Sequence, residues 1–301
     1  MSEFQSGERN LIDTTTSDGI DQSLRISVRS FDQLAEFITR EFGIKMPESK
    51  ISMIQSRLLH RVRDLGLESI DQYCEHLFSS SESAAERVHF INAVTTNKTD
   101  FFREPQHFKY LTETVLPQLV RSGYVAFNRR VALWSAACSS GEEPYTLAMV
   151  LSEYAAGHPA FQFRILATDI STKVLKMAKD GIYSEQQVAP VPPQLRRKYL
   201  LQGKGEQHSL TRVTSALRRS VSFHPLNLMD ADYCVRDMFD VIFCRNVLIY
   251  FERPTQEAVI SKLCRNLNPG GYIFVGHSES LSGFDLPLDS VGSACFRKRG
   301  E

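Results

Sequence analysis

From Ser30 onward the chain carries apolar positions at helical spacing, and later short apolar runs. Phe31, Leu34, Phe37 and Ile38 recur with the period of a helix. Ser30 is placed to cap that helix and Gly43 to end it. A second helix is predicted over 49–65, with Ile51, Ile54, Leu58, Val62 and Leu65 on one face and Gly66 as its stop. Two more are predicted over 70–78 and 84–94. The block over 28–105 therefore reads as a small all-helical domain. Residues 1–27 are rich in Ser, Thr, Asp and Gln and poor in apolar residues, the composition of a disordered tail.

The texture changes after a helix predicted over 106–122. Apolar runs at 131–134, 163–167, 221–223, 241–244 and 272–275 read as strands. Helical patterns at 144–154, 173–179 and 256–267 lie between them. This alternation predicts a doubly wound α/β domain over 106–301, with a parallel sheet between helix layers. Residues 182–220 are too long for a simple connection. They read as a small β-rich insertion: a helix over 192–201 opened by proline, the turn Gly203–Lys204–Gly205, and short strands at 210–213 and 216–220.

Composition narrows the function. Lys+Arg and Asp+Glu both number 35, so no global field draws the chain to nucleic acid or membrane. No apolar run reaches about 18 residues, and the N-terminus has no basic segment followed by an apolar stretch. None of the six cysteines sits in a CxxC pair, which argues against a disulfide frame or a zinc site and for a cytoplasmic protein.

The candidate chemistry lies at strand ends. The turn after the first strand, Ala136–Glu143, has small side chains that let a ligand approach the backbone, but a single glycine, so it is no dinucleotide fingerprint. Glu142 and Glu143 disfavour a phosphate there and suit a ligand with cationic groups; both also suit a helix N-terminus. Asp169 ends the second strand, where an acid can accept from ribose hydroxyls or cap the next helix. Arg245 follows a buried-strand pattern, where a charge needs a partner.

Six segments occur in one order: "TTNKTDFFRE", "WSAACSSGEEPYTLA", "LATDIS", "NLMD", "FCRNVLIYF" and "GHSES". In these the chain resembles the CheR-type chemotaxis receptor methyltransferases, from about residue 28 to the end. The resemblance implies a class I methyltransferase (Rossmann-like) domain with a β-subdomain insertion, preceded by an all-helical domain. It implies S-adenosyl-L-methionine as cofactor and S-adenosyl-L-homocysteine as product. It implies activity as a protein-glutamate O-methyltransferase, forming methyl esters on chemoreceptor cytoplasmic helices. By motif position, Asn97, Thr99, Arg103, Glu142, Asp169, Asn227, Leu228, Arg245 and Asn246 would bind the cofactor, with Glu143 open as an alternative to Glu142. Arg103 would pair with the methionine carboxylate. Arg245 and Tyr250 would act at the reacting centre.

These residue types suit an acceptor that is already ionised. A glutamate, with a pKa of about 4.3, needs no general base, and the motifs present no His or Asp dyad of the kind a hydroxyl acceptor would usually need. Lys50, Arg57 and Arg61 fall within about 40° of one another on a helical wheel. They form either a solvated face or a surface for the acidic receptor helices. The insertion would be either a flap over the pocket or an edge that binds a receptor C-terminal peptide. The rival readings are a methyltransferase for another acceptor, or a cofactor-binding sensor or scaffold without turnover.

Overall fold

The computed structural model describes residues 25–79, 83–121 and 130–300; the tail expected over 1–27 lies, up to residue 24, outside the described residues. Helix α1 (Val28–Phe42) is capped by Ser27, whose side chain accepts from Ser30 N at 3.1 Å. Ser30, expected to be the cap, is instead a buried residue of the first turn. Asp71 fixes the Ser27 hydroxyl from outside at 3.0 Å, a constraint no local pattern reveals. Gly43 ends α1 in the left-handed region, at φ +70°.

Helices α2 (Ile51–Asp64), α3 (Ile70–Phe78) and α4 (Ser83–Val94) bury Ile54, Leu58, Tyr73 and Phe90 against Leu34 and Phe37 of α1. Leu65, expected on the buried face, is the C-cap of α2 and is 37% exposed. The helix expected over 106–122 is built of α5 (Pro105–Tyr110), a π-helical turn (Leu111–Val115) and α6 (Leu116–Arg121).

The α/β domain begins with β1 (Val131–Ala136), α7 (Glu142–Gly157), β2 (Phe163–Asp169) and α8 (Thr172–Asp180). The insertion follows: β3 (Ile182–Ser184), α9 (Glu185–Val188), α10 (Pro193–Tyr199), β4 (Leu200–Gln202), β5 (Leu210–Val213) and α11 (Ser215–Arg219). Its three strands pair antiparallel in the order β3-β5-β4. The strand expected at 216–220 is helix α11: Leu217 is the residue it buries, and no alternation of burial exists for a strand to use. The turn after β4 requires glycine, because a Cβ on Gly203 would lie 2.1 Å from the Gln207 carbonyl oxygen.

The chain then returns through β6 (Val221–Pro225), β7 (Phe239–Cys244), α12 (Arg253–Arg265), β8 (Leu267–Phe274), β9 (Leu288–Gly292) and β10 (Cys295–Lys298). The large sheet has the order β6-β2-β1-β7-β8-β10-β9. Strands β6, β2, β1, β7 and β8 run parallel, while β10 and β9 are antiparallel additions the apolar pattern did not show. Every residue of β1 and β7 is buried, as expected for central strands covered on both faces. The chain moves outward from β1 through β2 to β6 and comes back to β7. The β1/β7 boundary is thus the switch point where such sheets take ligands.

Candidate active site

A cleft of about 1160 Å³, open space at its mouth included, lies at the carboxyl ends of β1, β2 and β7. The helical domain closes its other side through Phe42, Ile44, Met46, Lys50, Met53 and the segment after α4. The site is therefore a joint product of both domains. Among the residues expected to bind cofactor, Asn97, Thr99, Arg103, Asp169, Asn227, Leu228, Arg245 and Asn246 all line it, as does Tyr250.

The two adjacent glutamates separate. Glu142 does not line the cleft. Its carboxylate accepts from Ser140 Oγ at 2.7 Å and Gln187 Nε2 at 3.3 Å, joining the first loop to the insertion. Glu143, one step round α7, lines the cleft and accepts from Ser135 Oγ at 2.7 Å. Burial raises the pKa of both; for Glu143 the Arg245 charge and the Ser135 bond pull against it. The loop between β1 and α7 turns sharply because Ala137, Ser139 and Gly141 all have positive φ. At Gly141, φ +98°, a Cβ would meet Ala178 Cβ and the Tyr183 hydroxyl at 2.9 Å.

Asp169 is buried at the end of β2. Its Oδ2 accepts from Ser139 N at 2.8 Å and its Oδ1 from Ser171 N at 2.9 Å. Burial raises its pKa, and the backbone N–H groups of Ser171, Ser139 and Ile170 oppose the rise. The expected cap is a different residue: Ser171 caps α8, accepting from Val174 N. A carboxylate has about four acceptor positions, so Asp169 retains capacity for hydroxyl donors from a ligand.

Arg245 is the hub of the cleft floor, its side chain 1% exposed. Nη1 donates to Glu143 Oε2 at 3.0 Å; Nη2 donates to Glu104 Oε2 at 2.9 Å and to the Arg103 carbonyl at 2.6 Å. Two carboxylates thus over-compensate one guanidinium. Burial raises Glu104, but the hydrogen bond and charge of Arg245, with a bond from Asn246, bring its carboxyl below the ordinary value. Asn246, at φ +57°, donates from Nδ2 to Glu104 Oε1 at 3.2 Å. Its backbone N–H goes to Glu279 Oε2, which also receives Gly276 N, while Glu279 Oε1 receives Ile249 N. Glu104 and Glu279 were not singled out from the sequence. Both stand in motifs that were, "FFRE" and "GHSES", where the acid itself was the available signal.

The helical-domain side is less as expected. Arg61 is not part of a free basic stripe. It forms a two-bond ion pair with Glu86 of α4, at 3.1 and 2.7 Å, and Tyr73 completes the cluster at 2.8 Å. Arg57 donates to the Val94 and Thr95 carbonyls at 2.5 and 3.2 Å and to Thr96 Oγ1 at 3.1 Å, holding the segment that leads to Asn97. Lys50 lines the cleft and donates to the Lys45 carbonyl at 3.0 Å. Burial, then the charges of Arg57 and Lys45, lower its pKa. Asn97 accepts the Ser139 hydroxyl on its carbonyl at 2.9 Å, and Asn227 donates to the Glu41 carbonyl at 2.8 Å, so both clamp the two domains together. Arg103 donates to the Lys98 carbonyl at 3.2 Å and, among the described residues, has no carboxylate within ion-pair distance.

These features fit S-adenosylmethionine. Apolar walls from Ile44, Met53 and Leu228 suit a base. Asp169 has acceptor capacity for a ribose. Arg103 is a cation with free donors for a carboxylate, and the surplus negative charge of Glu104 and Glu143 favours a sulfonium and an ammonium.

Two family descriptions match the chain. Residues 29–95 match "CheR methyltransferase, all-alpha domain" and residues 97–295 match "CheR methyltransferase, SAM binding domain". The chain is similar to Chemotaxis protein methyltransferase 2 of Pseudomonas aeruginosa, 38% identical over 275 residues, covering 91% of this chain and 95% of that protein. It is 40% identical over 261 residues to a chemotaxis protein methyltransferase of Klebsiella aerogenes, covering 87% and 86% of the two chains. A chemotaxis protein methyltransferase of Borreliella burgdorferi is 35% identical over 285 residues, covering 94% and 99%.

Proposed function

Because the chain belongs to the CheR methyltransferase family and is an S-adenosylmethionine-dependent methyltransferase of chemotaxis, we propose that it esterifies glutamate side chains on the cytoplasmic helices of chemoreceptors. The observation that carries this reading is the state of the cleft's titratable groups. No histidine lines it. Glu143 is taken by Arg245 and Ser135, and Asp169 by backbone N–H groups. The third acid on its wall, Asp100, is exposed to solvent. The cleft thus holds no histidine and no buried, unengaged base for a hydroxyl or amine, which supports an acceptor that arrives as an anion.

Bound S-adenosylmethionine supplies an electrophilic methyl group on its sulfonium. Asp169 holds the ribose, and Arg103 the methionine carboxylate. Arg245, whose Nη atoms are taken by Glu104, Glu143 and the Arg103 carbonyl, acts as a positioning residue. Joining an anion to a cation removes charge, so tight charge pairing of the acceptor would oppose the reaction. A guanidinium already over-compensated by two carboxylates avoids that penalty. Tyr250, on the cleft wall, orients an acceptor oxygen by hydrogen bonding. The remaining contribution is orientation and exclusion of water by the helical domain.

The insertion supports a second contact with the receptor. Ile182, Arg212 and Leu201 form one exposed row across β3, β5 and β4. Exposed apolar side chains at the edges of a three-stranded sheet suit an added peptide strand. Peptide mapping of a methylated receptor by mass spectrometry tests the main reading: the added methyl resides on glutamate, and a methyl on lysine or arginine would contradict it.

A further inference from the structure

We infer that Glu104, His107 and His277 form a binding site for one divalent transition-metal ion of the zinc class. The three residues converge from different elements. Glu104 precedes α5, His107 lies within it, and His277 follows β8. One potential ligand atom from each lies within 4.8 Å of the others. None of the three lines the cofactor cleft; Glu104 alone is shared with the charge cluster around Arg245.

His107 calls for an explanation. It is 2% exposed, and neither Nδ1 nor Nε2 makes a hydrogen bond of good geometry, although the Ser293 backbone lies close to the ring. Buried polar atoms of native proteins are nearly always satisfied, by protein, water or an ion. The ring instead faces a carboxylate and a second imidazole. Its Nδ1 is 3.4 Å from Glu104 Oε2, and its centroid is 4.5 Å from that of His277. Two atoms bound to one tetrahedral zinc at about 2.05 Å stand about 3.3 Å apart, so the first separation already matches a shared ion.

The ligand set selects the class. Two imidazoles and one carboxylate suit zinc and its first-row neighbours, whereas magnesium and calcium take oxygen. His277 is exposed and leaves the fourth position open to water. The ion would share Glu104 Oε2 with Arg245 Nη2, which places it one contact from the cofactor cleft.

Titrating the full chain with Co²⁺ tests the site. A visible d–d band should saturate at one equivalent, and Zn²⁺ should abolish it. His277→Ala should lose the band and keep normal cofactor affinity, since His277 is exposed and outside the cleft; His107→Gln should weaken it as well. Absence of the band, its survival in His277→Ala, or a sulfur-to-cobalt charge-transfer band from the exposed Cys234 would overturn the inference.

Discussion

Arg245 Nη2 and Glu104 Oε2 meet at 2.9 Å beneath the cleft, joining the end of β7 to the segment before α5. The pair is nearly sealed from water on the arginine side. Breaking a buried pair by removing one partner leaves the other charge unpaired, at a cost of about 3–5 kcal/mol. Arg245→Ala strands both Glu104 and Glu143, so a loss in that range is expected in denaturant unfolding. Arg245→Lys should recover only part, because an ammonium does not reproduce the two-pronged contact. Adding Glu104→Gln to Arg245→Ala should return some stability, which a double-mutant cycle would read.

Asp169→Asn replaces a carboxylate whose two oxygens each accept a backbone N–H. The new amide must point two hydrogens at Ser139 N, at Ser171 N or at the ribose. Hydrogen bonds to charged groups are worth about 1.5–3 kcal/mol. Cofactor affinity should therefore fall roughly 10–100-fold by calorimetry, each factor of ten being about 1.4 kcal/mol.

Tyr250 and Arg103 should separate by kinetics. If Tyr250 orients the acceptor, Tyr250→Phe lowers kcat and leaves cofactor Kd unchanged. If Arg103 binds the methionine carboxylate, Arg103→Ala raises cofactor Kd roughly tenfold or more, as loss of a charge-assisted bond implies. Equal effects of both variants on Kd would contradict this division.

The sequence made the alternation of strands and helices legible, because β1, β2, β6, β7 and β8 carry apolar runs and α1 to α4 carry apolar stripes. It placed Asp169, Arg245 and Tyr250 near one another, because the ends of parallel strands meet at a switch point. Three things were hidden. Glu142 and Glu143 are neighbours in the chain, but about 100° apart on a helix, so one joins the insertion and the other the cleft. Arg57 and Arg61 look like a solvated stripe until α4 is packed beside α2, when Glu86 and the Val94 carbonyl claim them. Strands β9 and β10 lack an alternating pattern because β9 lies largely exposed at the sheet edge.

Arg61 and Glu86 give a pH signature in the helical domain. Burial alone would raise the Glu86 pKa, but hydrogen bonds from Arg61 and Tyr73 bring it below the ordinary 4.5. A carboxylate lowered in the folded state contributes stability above its unfolded pKa and loses it as pH falls through the folded value. Glu86→Gln should therefore be less stable than the parent at neutral pH. The difference should shrink as pH falls below 4.5. Thermal unfolding across that range checks this, and a constant difference would contradict it.

The most direct measurement is transfer of a tritiated methyl group from S-adenosylmethionine to a receptor-containing membrane fraction, followed by alkali. Methyl esters of glutamate release volatile methanol under these conditions. The proposed function predicts that the bound counts are alkali-labile and are lost when receptor glutamates are replaced by alanine. Counts that resist alkali, or that persist on the alanine receptor, would contradict it.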